Sequence, residues 1–134
     1  MNVLFIGIGM RYKMVYFAHA MAEYYTLEEE TALKAIYKHF PDYLVINPRD
    51  FHFSRMHDYL ELVKNCAAVV FKRCLGFITA GVWLEINFAK KWEIPVFEVT
   101  RDSIVPYDFL GEIPLNRKET NNLFKAIMRA RCLS

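Results

Sequence analysis

The run Ala67-Ala68-Val69-Val70-Phe71 is apolar at every position. A strand with one wet face alternates apolar and polar residues, so a run without alternation reads as a strand covered on both faces. Such strands belong to parallel sheets with helices packed on either side. The rest of the chain agrees, because strand-like and helix-like segments alternate along it, the pattern of an α/β domain. Strands are expected at residues 3–8, 14–18, 43–46, 67–71 and 96–99. The first is expected at an edge, or as half of a hairpin whose connection falls at residues 9–13.

Helix signals lie between the strands. Thr26-Leu27-Glu28-Glu29 has the form of a capping box, in which the Thr26 hydroxyl caps the Glu29 amide and the Glu29 side chain reaches back. The helix it opens is expected to end near His39, before Pro41, with Leu33, Ile36, Tyr37 and Phe40 as its stripe. Ser54 is placed to cap a second helix, residues 55–65, buried along Leu62 and either Met56 or Tyr59. A third helix carries Glu85 in its first turn. A last one covers residues 119–131, after an irregular stretch at 101–115.

A chain of 134 residues, 54% hydrophobic and 24% charged, fits one globular domain over 1–134. The formal charge of +2 does not argue for nucleic acid, and the cations of the tail suit a helix C-terminus. Cys66, Cys74 and Cys132 are odd in number and lack CxxC spacing, which fits reduced thiols rather than a disulfide framework or a zinc site. The apolar start lacks a basic n-region, and no segment reaches the ~18 apolar residues of a membrane span. A cytoplasmic protein without a membrane segment is expected. His19, His39, His52 and His57 have no zinc-like spacing, so no metal is expected. Gly7-Ile8-Gly9 has no third glycine leading into a helix, so neither is a dinucleotide cofactor. Aromatic residues make up 16% of the chain, enough to line a pocket or a subunit interface.

Open α/β sheets bind ligands at the carboxyl ends of their strands. The loops expected there bring Tyr16 and His19, Asn47, Asp58, Thr79, Gly81 and Glu85 to one region. Glu85 has two readings: an anion held by the helix dipole beside a ligand, as nucleophile or base, or an acid that only complements the dipole from solvent. Paired with Asp58 it has the equipment to cleave a glycosidic bond. Asp58 also reads as an ordinary first-turn acid on an exposed helix. Tyr16 reads also as a strand aromatic packed under a helix, and His19 as an exposed loop histidine.

Taken in order, Val15-Tyr16-Phe17-Ala18, Asn47-Pro48, Asp58-Tyr59-Leu60 ahead of Cys66, Thr79-Ala80-Gly81-Val82-Trp83-Leu84-Glu85 and Ile94-Pro95-Val96 resemble the nucleoside 2-deoxyribosyltransferase-like superfamily. That superfamily includes base-exchanging transferases, 2'-deoxynucleoside 5'-phosphate N-hydrolases and phage-borne members. The resemblance spans about residues 14–99. It implies a flavodoxin-like three-layer sandwich with a mainly parallel sheet, core order 2-1-3-4 plus an added edge strand. It implies Glu85 as nucleophile, Asp58 as the residue holding and protonating the base, and Tyr16 as the group positioning sugar and Glu85. His19, Asn47, Thr79 and Gly81 are the expected substrate contacts. No cofactor is implied.

Two departures stand out. The Gly-Ser-x-Arg-like phosphate loop of the hydrolases is replaced by His19-Ala20-Met21-Ala22, and the transferases' Asp before the signature Gly is replaced by Thr79 and Ala80. The expected function is cleavage or transfer at an N-glycosidic bond of a nucleoside-like small molecule. The alternative is a non-catalytic binder of a nucleotide derivative. A two-fold homodimer is expected, because Tyr107, Phe109, Leu110, Ile113 and Leu115 must pack on a neighbouring subunit or fold back over their own sheet.

Overall fold

A computed structural model describes residues 3–6 and 9–133, with side chains from residue 12 onward. The elements are β1 (Val3–Ile6), β2 (Gly9–Ala18), α1 (Leu27–His39), β3 (Leu44–Ile46), α2 (Met56–Lys64), β4 (Cys66–Phe71), α3 (Ala80–Lys91), β5 (Val96–Thr100), β6 (Ser103–Pro106) and α4 (Arg117–Leu133). Short 3-10 turns cover Met21–Glu23 and Pro48–Asp50.

The described residues form one six-stranded sheet. Its parallel centre runs β3-β2-β4-β5, the order expected from the sequence. Two antiparallel strands extend it: β1 pairs with the first half of β2, and β6 pairs with β5. Gly9 to Lys13, expected as a connection, is the first half of β2. Gly7 and Ile8, and with them the dinucleotide reading, lie outside the described residues. The stretch 101–115 is not wholly irregular, since it contains β6.

Every residue of β4 is buried. Its side chains alternate between two cores, as a strand covered on both faces requires. Val69 and Phe71, with Tyr16 and Ala18 of β2, pack against Val63 of α2 and Val82, Ile86 and Ala89 of α3. Ala68 and Val70, with Val15 and Phe17 of β2, pack against Ala32, Ala35 and Ile36 of α1. Helices therefore cover both faces.

Thr26 caps α1 as expected, its hydroxyl oxygen accepting the Glu29 N–H at 3.3 Å. The Glu29 side chain reaches one residue further back than a capping box requires and accepts the Tyr25 N–H at 3.0 Å. The α1 stripe is rotated from expectation: Ala32, Ala35 and Ile36 are buried, whereas Tyr37 is exposed. In α2 the fully buried residue is Val63, beside a partly buried Leu62. No side chain caps α2.

After β6 the chain folds back over its own sheet. Tyr107 and Phe109 pack on the core, while Leu110 and Ile113 stay on the surface. Arg73 ties this segment down, binding Glu98 of β5 at 2.7 Å and Glu112 at 2.9 Å. The Tyr107 hydroxyl donates to Glu112 at 2.6 Å. No described helix is long and apolar enough to cross a membrane.

Candidate active site

The chain leaves β2 toward β3 on one side and returns past β2 to β4 on the other, and the crevice opens where these connections part. A cavity of about 530 Å³ lies there, at the carboxyl ends of β2, β3 and β4. Its inner end holds Tyr16 and Glu85, both buried. Its open end is rimmed by Met21, Tyr25, Phe53 and Met56, all exposed. α4 closes one side with Thr120 and Phe124.

Glu85 is the sixth residue of α3, in the second turn rather than the first. The helix dipole is largely spent by that depth. The Tyr16 hydroxyl donates to Glu85 Oε2 in a short hydrogen bond. Burial pushes the Glu85 carboxyl up to about 8, and the Tyr16 donor only partly opposes it. The expectation of a first-turn anion held by the dipole is therefore corrected: Glu85 lies in the second turn, and burial favours its protonated form. The other reading, an acid complementing the dipole from solvent, also fails, since Glu85 is 6% exposed. Tyr16 is both a core aromatic of β2 and the partner of Glu85, and burial raises its phenol well above the ordinary value.

His19 is not an exposed loop residue. It is buried, stacked on Phe17 with ring centroids 3.7 Å apart. Its Nδ1 faces the Phe17 carbonyl at 3.0 Å, and its Nε2 faces Glu29 Oε2 at 2.6 Å. The carbonyl and the carboxylate are both acceptors, and burial lowers the basicity of the ring, which disfavours holding a proton on each nitrogen. The other Glu29 oxygen accepts the Tyr25 N–H and a short bond from Arg49 Nη1. Burial alone would raise Glu29, but the donors on its two oxygens outweigh that and hold the carboxyl below its usual range. Tyr25 reaches this position with a left-handed backbone, φ 63°, and its ring stacks on the Arg49 guanidinium at 4.7 Å.

Thr79 precedes α3 and lines the cavity, but its side chain makes no cap. Thr120 of α4 takes that role, its hydroxyl oxygen accepting the Ala80 N–H at 2.9 Å. Gly81 also lines the cavity. A Cβ there would meet Met56 Cε at 3.5 Å, an ordinary contact, so space does not require glycine.

Two expected site residues are not among those lining the cavity. Asn47 is buried beside it and shapes the loop, its Oδ1 accepting the Arg49 N–H at 3.1 Å. Asp58 shares a face of the sheet with α3 but points away, its side chain one-third exposed and 3.5 Å from Arg55. Met56 and Tyr59 are the α2 residues turned to the cavity. The reading of Asp58 as a first-turn acid on an exposed helix describes what is seen. Among the described residues, Glu85 is the only carboxylic acid lining the cavity.

Sequence reasoning did not find Tyr24, Arg49, Phe53, Tyr59 or Phe124 in the lining, nor Glu29 behind His19. The Thr26 cap did flag Glu29, but as a helix-end residue. No protein-family model matches this chain, and neither does any curated protein or solved structure.

Proposed function

We propose that this chain cleaves or transfers at an N-glycosidic bond of a nucleoside-like molecule, with Glu85 as the nucleophile. The observation that carries the reading is the buried Tyr16–Glu85 pair at the inner end of an aromatic-walled cavity at the strand carboxyl ends. Aromatic walls suit a planar base, and a carboxylate beneath the sugar suits attack at C1'. Glu85 attacks as the anion, so its proton first passes to water at the open mouth. Tyr16 steadies the resulting carboxylate by donating to Oε2. Because Asp58 lies outside the cavity, the departing base draws its proton from water at the open mouth. The glycosyl ester on Glu85 is then resolved by water or by a second base.

On this reading the chain is a divergent member of the nucleoside 2-deoxyribosyltransferase-like superfamily. Its sheet is flavodoxin-like, and it works in the cytoplasm without a cofactor. A two-fold dimer belongs to the same reading, supported by Leu110 and Ile113 left on the surface. Sedimentation tests it: a mass near the 15.8 kDa monomer at every concentration removes the dimer.

A second reading, binding without turnover, is favoured by one observation: the cavity's single carboxylic acid among the described residues is buried, which disfavours its anion. Incubation with a mixture of nucleosides and nucleotides separates the two. Free base, seen by chromatography and lost in Glu85→Gln, supports the enzyme. Saturable binding with no free base supports the binder.

A further inference from the structure

Among the described residues of the cavity wall, three carry a carboxyl or an imidazole, the groups suited to proton exchange near neutral pH: Glu85, His19 and His52. Glu85 is committed to attack on the sugar. His19 is spent, since both of its ring nitrogens face acceptors inside the fold, at 3.0 and 2.6 Å. His52 differs: its ring makes no hydrogen bond and no ring contact with any described residue, and it stands exposed at the mouth beside Phe53. Its backbone is nonetheless held. The Tyr59 hydroxyl donates to the Phe51 carbonyl at 3.0 Å and accepts the Phe53 N–H at 3.2 Å, so the residues on either side of His52 are pinned to one hydroxyl of α2. The Phe53 ring packs edge-on against Tyr59, with centroids 5.0 Å apart, and Phe51 packs on the core. An imidazole with two unused nitrogens is thus carried on a fixed backbone at the outer end of a cavity whose inner end holds Glu85.

We propose that His52 is the source of the proton that reaches the departing base, delivered through the water at the mouth. The inference rests on the glycosidic reading above and deepens it by naming the acid that Asp58 does not supply. As the Glu85 carboxylate forms its bond to C1', the C1'–N bond breaks and its electron pair stays on the base nitrogen. That nitrogen takes a proton from the water, and the water takes one from the His52 imidazolium. In the second step the water or base that attacks C1' gives its proton to the neutral imidazole, and Glu85 leaves as the carboxylate. A ligand spanning the cavity has its sugar over Glu85 and its base toward the mouth, so donor and nucleophile stand at opposite ends of the breaking bond. Tyr59 is then a positioning residue, holding the segment that carries the donor.

Leaving groups that do and do not need a proton test this. A 2'-deoxynucleoside releases a base that must be protonated, whereas 4-nitrophenyl 2-deoxyriboside releases a phenolate that departs as a stable anion. His52→Gln should lower kcat/KM for the nucleosides by about 10²–10⁴-fold, and for the nitrophenyl substrate far less. Free imidazole should restore part of the base release to His52→Ala, because the mouth is open to solvent. Tyr59→Phe, which frees Phe51 and Phe53, should show a smaller loss that again falls on the nucleosides. A loss of similar size on both substrates means that His52 only shapes the cavity and overturns the proposal. Base release near the wild-type rate in His52→Gln overturns it as well. Either result leaves the glycosidic reading standing where Glu85→Gln abolishes release from both substrates. If the wild-type protein releases neither base nor 4-nitrophenolate, both fall.

Discussion

Glu85 and Glu29 are both buried, one under each face of β2, yet their carboxyls are pushed in opposite directions. Glu85 has one donor, the Tyr16 phenol, and is pushed up to about 8. Glu29 has three donors, from His19, the Tyr25 amide and Arg49, and is held below its usual range. The difference teaches that burial alone does not decide the charge of an acid. Burial penalises the anion in both places, and the number and charge of the donors decide whether that penalty is overcome. Glu29 is a structural anion. Glu85 is an acid whose ionisation the surrounding groups leave unfavoured.

The largest test of this contrast is kinetic. If ionised Glu85 attacks the sugar, Glu85→Gln should lower base release by more than the ~10²–10⁴-fold typical of losing a general acid or base. Circular dichroism should remain unchanged. Turnover near the wild-type rate in that variant excludes the nucleophile.

Next in size is the stability of the anionic partner. Glu29→Ala strands a buried imidazole and a half-buried guanidinium, so urea unfolding should show a loss of about 3 kcal/mol. A loss below about 1 kcal/mol would place Glu29 with surface ion pairs and erase the contrast.

Glu85→Gln should do the reverse to stability. The folded carboxyl holds its proton up to about 8, whereas the unfolded one releases it near the ordinary value of 4.5. The folded state binds more protons between those values, so wild-type stability falls as pH rises across that window. Gln does not titrate, so the variant's advantage should be near zero at pH 4, reach roughly 3 kcal/mol at pH 7 and level off above pH 8. A difference flat with pH would show that Glu85 ionises normally in the fold.

The smallest effect concerns the single donor. Tyr16→Phe removes the only group that favours the Glu85 anion, so the Glu85 pKa should rise further, by about one unit or ~1.4 kcal/mol. Carbon-13 NMR of the glutamate carboxyls reads this directly, and a downward shift would contradict the role given to Tyr16.

Much of the frame was legible because it follows from local pattern. The unalternating run at Ala67–Phe71 requires a doubly covered strand, and the Thr26 box requires a helix start. The order of the parallel strands came with the resemblance rather than from local pattern, since right-handed crossovers fix the hand of each connection and not the order. Tyr16, His19, Thr79, Gly81 and Glu85 reach the cavity because each lies close to a strand end or a helix start. Asp58 was misplaced because α2 is short and its rotation depends on packing. With Met56 and Tyr59 facing the cavity, a residue one position from Tyr59 is turned by about 100°. β6 was missed because Pro106 ends a four-residue strand whose only partner among the described residues is β5. The Glu29 cluster was illegible for another reason. Its members come from β2, α1 and the loop after β3, and no spacing in the chain joins residues that only the fold makes neighbours.

The bond from Ala80 to the Thr120 hydroxyl has a consequence for how the protein is made. The whole sheet and α3 precede α4 in the chain, so during synthesis they can assemble before α4 has emerged. Until then the first amide of α3 lacks its cap, and the cavity lacks the wall carrying Phe124. A nascent chain that has reached β6 thus owns Glu85 but not a closed cavity, which is completed only when α4 docks.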